Sequence, residues 1–116
     1  MILIVEDDSA LWSLYRHSLK ELNTPLVFAR TGQDALDILA TEIPDLIFLD
    51  MRLPLVNGQA ILDYVQTVPH LAQVPVVITT SSKEYAAYAA PGLFLLKPIL
   101  PRTLLATARQ HLRLKT

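Results

Sequence analysis

The 116-residue sequence contains no cysteine, which excludes disulfide bonds, thiolate nucleophiles and sulfur-ligated metal sites. Its apolar runs are far shorter than the roughly 20 residues that a membrane-spanning helix requires. An excess of positive charge is also absent, because ten Lys and Arg face eleven Asp and Glu, for a formal net charge of -1. The chain therefore has no general attraction to nucleic acid or to an anionic membrane.

The bulk composition predicts one folded domain over residues 1–116. Hydrophobic residues make up 52% of the chain, which is ample material for a single core. There is no internal repeat, low-complexity segment or linker. The first residues, "MILIVEDD", place an acidic cluster where a signal peptide would carry its hydrophobic segment, so we expect a cytoplasmic protein.

Short β-rich apolar runs alternate with segments of helical periodicity, a pattern typical of a parallel sheet covered by helices on both faces. The predicted strands are Ile2–Val5, Leu26–Ala29, Leu46–Leu49, Val76–Thr79 and Leu93–Leu96. The predicted helices are Ser9–Leu22, Gly32–Thr41, Gly58–Val68, Lys83–Ala90 and Pro101–Leu112, with Ser9 and Thr31 as helix caps. This is a doubly wound (βα)5 α/β fold, whose ligands bind beyond the carboxyl ends of the strands.

Chemically active side chains follow four of these strands. They are Glu6, Asp7, Asp50, Thr80 and Lys97. Carboxylates that converge on one crevice repel one another unless a cation neutralises them. Because the available ligands are all oxygens, the sequence predicts a hard divalent ion such as Mg²⁺, with Mn²⁺ as the alternative.

A divalent cation, the Lys97 ammonium and the Thr80 hydroxyl around Asp50 would form a cradle for a phosphoryl group. The reaction that this arrangement permits is in-line attack of the Asp50 carboxylate on phosphorus, which gives an acyl phosphate. The cation and Lys97 would offset charge on the equatorial oxygens, and Thr80 would donate a hydrogen bond.

Four ordered motifs, "IVEDD", "LIFLDMRLPLVNG", "PVVITTS" and "FLLKPI", resemble the successive signatures of response-regulator receiver domains, the CheY-like phosphoacceptor modules of two-component phosphorelays. The resemblance covers essentially the whole chain. It implies a flavodoxin-like fold with strand order 2-1-3-4-5. It also implies a signalling phosphoprotein that catalyses at most its own phosphorylation and dephosphorylation.

The resemblance assigns roles to individual residues. Asp50 matches the phosphoacceptor, and the acidic pair Glu6 and Asp7 matches the metal ligands, with Asp50 and the backbone carbonyl of Arg52 completing the set. Asp7 is expected to contact Mg²⁺ directly and Glu6 mostly through water. Lys97 matches the invariant lysine of the family.

The switch elements implied by the resemblance are the Thr80 hydroxyl and an aromatic ring on the fifth strand, Phe94. The expected partners are a histidine kinase or histidine phosphotransfer protein and a downstream protein or fused output domain. No direct contact with nucleic acid or a membrane is expected.

The sequence departs from the family pattern between Thr80 and Lys97, where only seventeen residue steps separate the two motifs, fewer than is usual. The shortening falls in "SSKEYAAYAAPG". It predicts a short or irregular fourth helix and an altered dimer and partner face.

Alternative interpretations exist for these motifs. "EDD" alone is typical of a helix-initiating acidic turn. A receiver fold acting as a phosphorylation-independent binding module is the main competing function. A phosphohydrolase is disfavoured, because Arg52 occupies the position where similar enzymes carry a second aspartate. Trp12 and Tyr15 are interpreted as packing residues of the first helix.

Overall fold

The structure, a computed structural model, describes residues 1–112 and contains a five-stranded, all-parallel sheet. The strand order is β2-β1-β3-β4-β5, which confirms the predicted fold. The strands are β1 Ile2–Val5, β2 Leu26–Ala29, β3 Leu46–Asp50, β4 Val76–Thr80 and β5 Phe94–Leu96.

Four α-helices cover the two faces of this sheet. They are α1 Ser9–Leu19, α2 Gly32–Leu39, α3 Gly58–Thr67 and α4 Pro101–His111. Three short 3₁₀ segments are Lys20–Leu22, Pro69–Leu71 and Lys83–Tyr88. Within residues 1–112, no helix has the length and apolar character needed to cross a membrane.

The central strands are buried on both faces because alternate side chains enter two separate cores. Ile47 and Leu49 of β3 face the core beneath α2 and α3. Leu46 and Phe48 face the core beneath α1 and α4, where the Tyr15 ring meets Phe48 edge-on at a centroid distance of 5.3 Å. Strand β3 is therefore a rigid, dry support for the residue at its carboxyl end.

Two strands extend one residue further than predicted, so that Asp50 and Thr80 are the last residues of β3 and β4. The parallel ladder pairs Asp50 with Thr79, which continues the hydrogen-bonded register to the sheet edge. The extension comes from pairing with neighbouring strands, which the apolar run alone does not report.

The predicted cap of the second helix is confirmed, and that of the first is wrong. Thr31 Oγ1 accepts a hydrogen bond from Asp34 N at 3.1 Å. For α1 the cap is Asp8, whose Oδ1 accepts from Ala10 N at 3.0 Å, while Ser9 is the first helical residue. Asp8 thus fits the helix-initiating interpretation of "EDD".

The fourth helical segment is irregular, as predicted. Lys83–Tyr88 forms a 3₁₀ helix in which no residue is buried. It is followed by an extended residue, Ala89, and by Gly92 at a φ of +79°. Short 3₁₀ helices are common as connectors between longer elements.

Candidate functional site

The carboxyl ends of the strands bring three carboxylates together. Oxygens of Glu6, Asp7 and Asp50 all lie within 4.8 Å of one another. Glu6 and Asp50 are 1% and 5% exposed, whereas Asp7 is open to solvent. The cluster therefore has two buried oxygens at its base and one carboxylate at its mouth.

Lys97 joins the two buried carboxylates. Its Nζ donates to Glu6 Oε1 at 2.7 Å and to Asp50 Oδ2 at 3.3 Å. The partners are 91 and 47 residues away in sequence, so the contact exists only because β1, β3 and β5 end at the same edge. The ammonium offsets part of the negative charge at the base of the cluster.

Burial shapes the protonation of this group. Burial, together with the charge of Asp50, raises the pKa of Glu6 to about 7, although the hydrogen bond from Lys97 opposes the rise. Burial lowers the pKa of Lys97, but its contacts with Glu6 and Asp50 outweigh that effect and raise this pKa above its usual value. These shifts favour the charged form of Lys97 and the protonated form of Glu6.

The cluster fits a divalent cation by donor type and by charge. When Glu6 is ionised, the formal charges of the three carboxylates and the Lys97 ammonium sum to -2, which a divalent ion would neutralise. The donors are oxygens, as Mg²⁺ and Mn²⁺ prefer. Arg52 N donates to Asp50 Oδ1 at 3.0 Å, which holds the Arg52 backbone beside the carboxylate. Coordination by the Arg52 carbonyl stays a prediction.

A tight turn after β3 fixes the position of Asp50. Gly58 N donates to Met51 O at 3.1 Å. A Cβ at Gly58 would lie 2.5 Å from Met51 Cα and 2.7 Å from Asp50 O, closer than non-bonded carbon atoms approach. Asn57 Oδ1 then caps α3 by accepting from Ala60 N at 3.1 Å. The motif residues Asn57 and Gly58 therefore hold the turn in place.

The predicted switch residues Thr80 and Phe94 lie on β4 and β5. Thr80 is fully buried, and its Oγ1 accepts a hydrogen bond from Ser82 N at 3.2 Å. Phe94 is half-buried on β5, pairs with Ile78 in the ladder and packs on the core. Lys97 N donates to Thr80 O at 2.7 Å, which links the end of β4 to the lysine of the cluster, while the switching roles of Thr80 and Phe94 stay predictions.

Two contacts at the site were not predicted from the sequence. The Trp12 indole Nε1–H donates to Glu6 O at 2.9 Å, which links α1 to the acidic turn. Arg52 forms an ion pair with Glu84 at 3.7 Å, which links the turn after β3 to the 3₁₀ segment. A tryptophan six residues after an acidic turn is a local signal for the first contact, but the Arg52–Glu84 pair has no local signal.

Comparison with known proteins identifies relatives over most of the chain. A family model described as the response regulator receiver domain matches residues 2–109. Regulatory protein LuxO of Vibrio vulnificus is 40% identical over 78 residues, which are 67% of this chain and 17% of LuxO. The chain thus matches a small part of that protein. The polar-differentiation response regulator DivK of Brucella ovis is 26% identical over 96% of this chain and 94% of its own.

Solved structures show the same architecture. The signal receiver domain of a LuxO repressor protein from Vibrio parahaemolyticus superposes with a TM-score of 0.84. The two sequences are 30% identical, and the superposition covers 95% of this chain and 87% of the other.

Proposed function

The chain belongs to the response-regulator receiver family of two-component signalling, and we propose that it accepts a phosphoryl group on Asp50 from a histidine kinase or histidine phosphotransfer protein. The observation that carries this proposal is the Lys97 ammonium between Glu6 and Asp50. We further propose that residues 1–116 act as one receiver domain in the cytoplasm, free or joined to an output domain.

The proposed reaction needs a nucleophilic oxygen with a free lone pair, and nearby positive charge that offsets the negative charge of the phosphoryl group. An Asp50 oxygen forms a bond to phosphorus as the bond between phosphorus and the donor nitrogen breaks, and the donor imidazole keeps the bonding electrons. Lys97 already contacts Asp50 Oδ2, and Arg52 N contacts Oδ1. These two donors are positioned to stabilise charge that moves onto the acyl phosphate.

The residues that would hold Mg²⁺ or Mn²⁺ are Glu6, Asp7, Asp50 and, through its carbonyl, Arg52. A bound ion supplies positive charge against the phosphoryl oxygens. The chain itself excludes water from the base of the site, since Glu6 and Asp50 are buried against apolar strands. It also orients Asp50 through the rigid turn at Gly58.

The proposed output is a change of protein-contact surface near β4 and β5. Once Asp50 is phosphorylated, the Thr80 hydroxyl would exchange its bond from Ser82 N for one to a phosphoryl oxygen. Phe94 has room to follow because it is only half-buried. Since the ring carries no hydroxyl, the readout is packing of the ring and movement of the 3₁₀ segment.

Phosphorylation by a small donor tests the proposal. Protein incubated with acetyl phosphate and Mg²⁺ is expected to gain the mass of one phosphoryl group, and the gain should disappear in Asp50→Asn. A matched control is Asp63→Asn, because Asp63 is exposed on α3 and its carboxylate accepts a hydrogen bond from Gln59 Nε2 at 2.9 Å, away from the acidic cluster. Absence of any mass gain would favour the phosphorylation-independent binding module, and a gain that persists in Asp50→Asn would contradict Asp50 as the phosphoacceptor.

A further inference from the structure

Four side chains form a continuous stack on the outer side of α1 and β2. The Arg30 guanidinium carbon lies 5.0 Å from the centre of the Trp12 ring, and the Trp12 and Phe28 centroids are 5.1 Å apart. The Arg16 guanidinium carbon lies 4.7 Å from the centre of the Phe28 ring. We refer to Arg30, Trp12, Phe28 and Arg16 as the arginine–aromatic column.

The two arginines of the column are exposed and lack an acidic partner. In the part of the chain that the structure describes, ion pairs within 4.0 Å use Arg52, Lys97, Arg109 and the N terminus, and neither Arg16 nor Arg30 contacts a carboxylate. A guanidinium stacked on a ring keeps the N–H donors along its edge free. Both arginines are therefore held in place with their hydrogen-bonding edges unused.

The aromatic members make this surface rigid. Trp12 and Phe28 are half-buried, and the indole N–H is fixed by its bond to Glu6 O at 2.9 Å. Cation–π contact with these rings restrains the arginine side chains before any partner binds. Less rotamer entropy is then lost on binding than at freely moving arginines.

We propose that the arginine–aromatic column is a docking surface for an acidic segment of a partner protein, two of whose carboxylates bind Arg16 and Arg30. Charge complementarity supports this occupant, since planar guanidinium edges match carboxylates in bidentate geometry. Inorganic polyphosphate is the competing ligand, because phosphate oxygens also bind guanidinium groups in bidentate geometry, so its affinity is compared with that of the acidic peptide.

The column is connected to the candidate site through Trp12. Trp12 touches Arg30 on its ring and Glu6 through its N–H, so a segment that shifts the indole also shifts the acidic turn. This coupling rests on the proposed function, whereas the docking itself does not. The two are separable, because Arg16 and Arg30 are not ligands of the acidic cluster.

A synthetic hexaglutamate peptide is the probe, and Trp12 is the reporter, since it is the one tryptophan in the sequence. Titration at low salt is expected to change Trp12 fluorescence saturably and to shift its indole N–H resonance. The double variant Arg16→Gln/Arg30→Gln removes the two exposed ion pairs that the arginines would form with the peptide, and it should weaken binding about fivefold. Acetyl-phosphate labelling of this variant should stay at the wild-type level without peptide.

Two further variants separate the column from general charge. Arg102→Gln removes one exposed charge on α4 that has no aromatic partner, and it should leave the affinity within about twofold of wild type. Arg16→Lys/Arg30→Lys keeps both charges but loses the planar, stacked donors, so it should bind nearly as weakly as the double glutamine variant.

Several results would overturn the docking proposal. The first is a fluorescence titration that does not saturate. The second and third are an affinity for the peptide that falls as much in Arg102→Gln as in the double glutamine variant, or that stays at the wild-type level in the double lysine variant. The fourth is tighter binding of inorganic polyphosphate than of hexaglutamate. Unchanged urea unfolding midpoints in all variants will show that a loss of binding is not a loss of folding. Failure of phosphorylation with intact peptide binding would contradict the proposed function alone.

Discussion

Two connections leave the same edge of the sheet, after β3 and after β4, and they are held in opposite ways. The first runs from Asp50 through a turn that Gly58 closes against Asp50 O and Met51 Cα. The second is the 3₁₀ segment Lys83–Tyr88, which has no buried residue and exposes Tyr88 by 52%. The predicted phosphoacceptor thus precedes the connection that is closely packed at Gly58, while the 3₁₀ segment of the shortened connection has no buried residue.

The shortened segment is therefore separate from the turn that follows Asp50. Shortening a surface connection removes few buried contacts, whereas a change in the turn after β3 would displace Asp50 directly. One ion pair, Arg52–Glu84, joins the two connections. The comparison is therefore testable by matched substitutions on each side.

The largest expected effect comes from Gly58→Ala. Its methyl group would meet backbone atoms of Asp50 and Met51 that cannot move aside, and such overpacking costs about 3 kcal/mol of unfolding free energy. The matched change in the 3₁₀ segment, Ala86→Gly, should cost under about 1 kcal/mol. Urea unfolding of both variants measures the difference, and equal costs would contradict the contrast between the two connections.

Lys97→Met ranks next. It leaves Glu6 and Asp50 without their ammonium, and we expect a loss of about 2 kcal/mol at pH 8, less than for a fully buried pair because Lys97 is 22% exposed. Lys83→Met, at an exposed lysine of the 3₁₀ segment, should change stability by under about 0.5 kcal/mol. Urea unfolding at pH 8 measures the free energy of unfolding of both variants. Similar losses would mean that Lys97 stabilises the fold no more than an exposed lysine does.

The contribution of Glu6 to the free energy of unfolding is expected to fall as the pH rises. The pKa of Glu6 is about 7 in the folded chain, above its ordinary value of 4.5, so the folded state binds this proton more tightly. The resulting stabilisation is complete below about pH 4.5 and is lost as pH rises through 7. Lys97→Met removes a hydrogen bond that lowers this pKa, so its cost should be greater at pH 8 than at pH 6. A loss of stability in Lys97→Met that is equal at pH 6 and pH 8 would contradict the raised pKa of Glu6 and its contact with Lys97.

A smaller effect is expected at Leu55, in the turn after β3. This leucine has a φ of +67° and is 99% exposed, so it has a left-handed backbone without burial to offset the strain. Leu55→Gly relieves the strain and Leu55→Ala does not, so the glycine variant should be more stable than the alanine variant by about 1 kcal/mol. Thermal unfolding compares the two, and a more stable alanine variant would exclude stored strain.

The smallest effect concerns the contact between the two connections. Arg52 and Glu84 are 61% and 69% exposed, and an exposed pair of this kind contributes about 0.5 kcal/mol. A double-mutant cycle with Arg52→Gln and Glu84→Gln measures the coupling in urea and again in 1 M salt, where it should vanish. Coupling above about 2 kcal/mol would mean that the connections act as one unit.

The sequence was sufficient for the architecture because apolar periodicity determines which face of each strand and helix is buried. The strand order came from resemblance to a known family and is confirmed. The sequence pattern predicts Ser9 rather than Asp8 as the cap of α1, since both adjacent polar residues satisfy that pattern and only backbone geometry distinguishes them. Side-chain contacts across distant segments, such as Trp12 to Glu6 and Arg52 to Glu84, depend on the folded arrangement.

The most direct test of the central claim locates the phosphoryl group chemically. Borohydride reduces an aspartyl phosphate to homoserine, so protein treated with acetyl phosphate and Mg²⁺, then with borohydride, is digested and sequenced by mass spectrometry. Homoserine at position 50, dependent on Mg²⁺ and lost in Asp50→Asn, is the predicted result. Homoserine at Asp7 or Asp8, or none anywhere in the chain, would contradict the assignment of Asp50 as the phosphoacceptor.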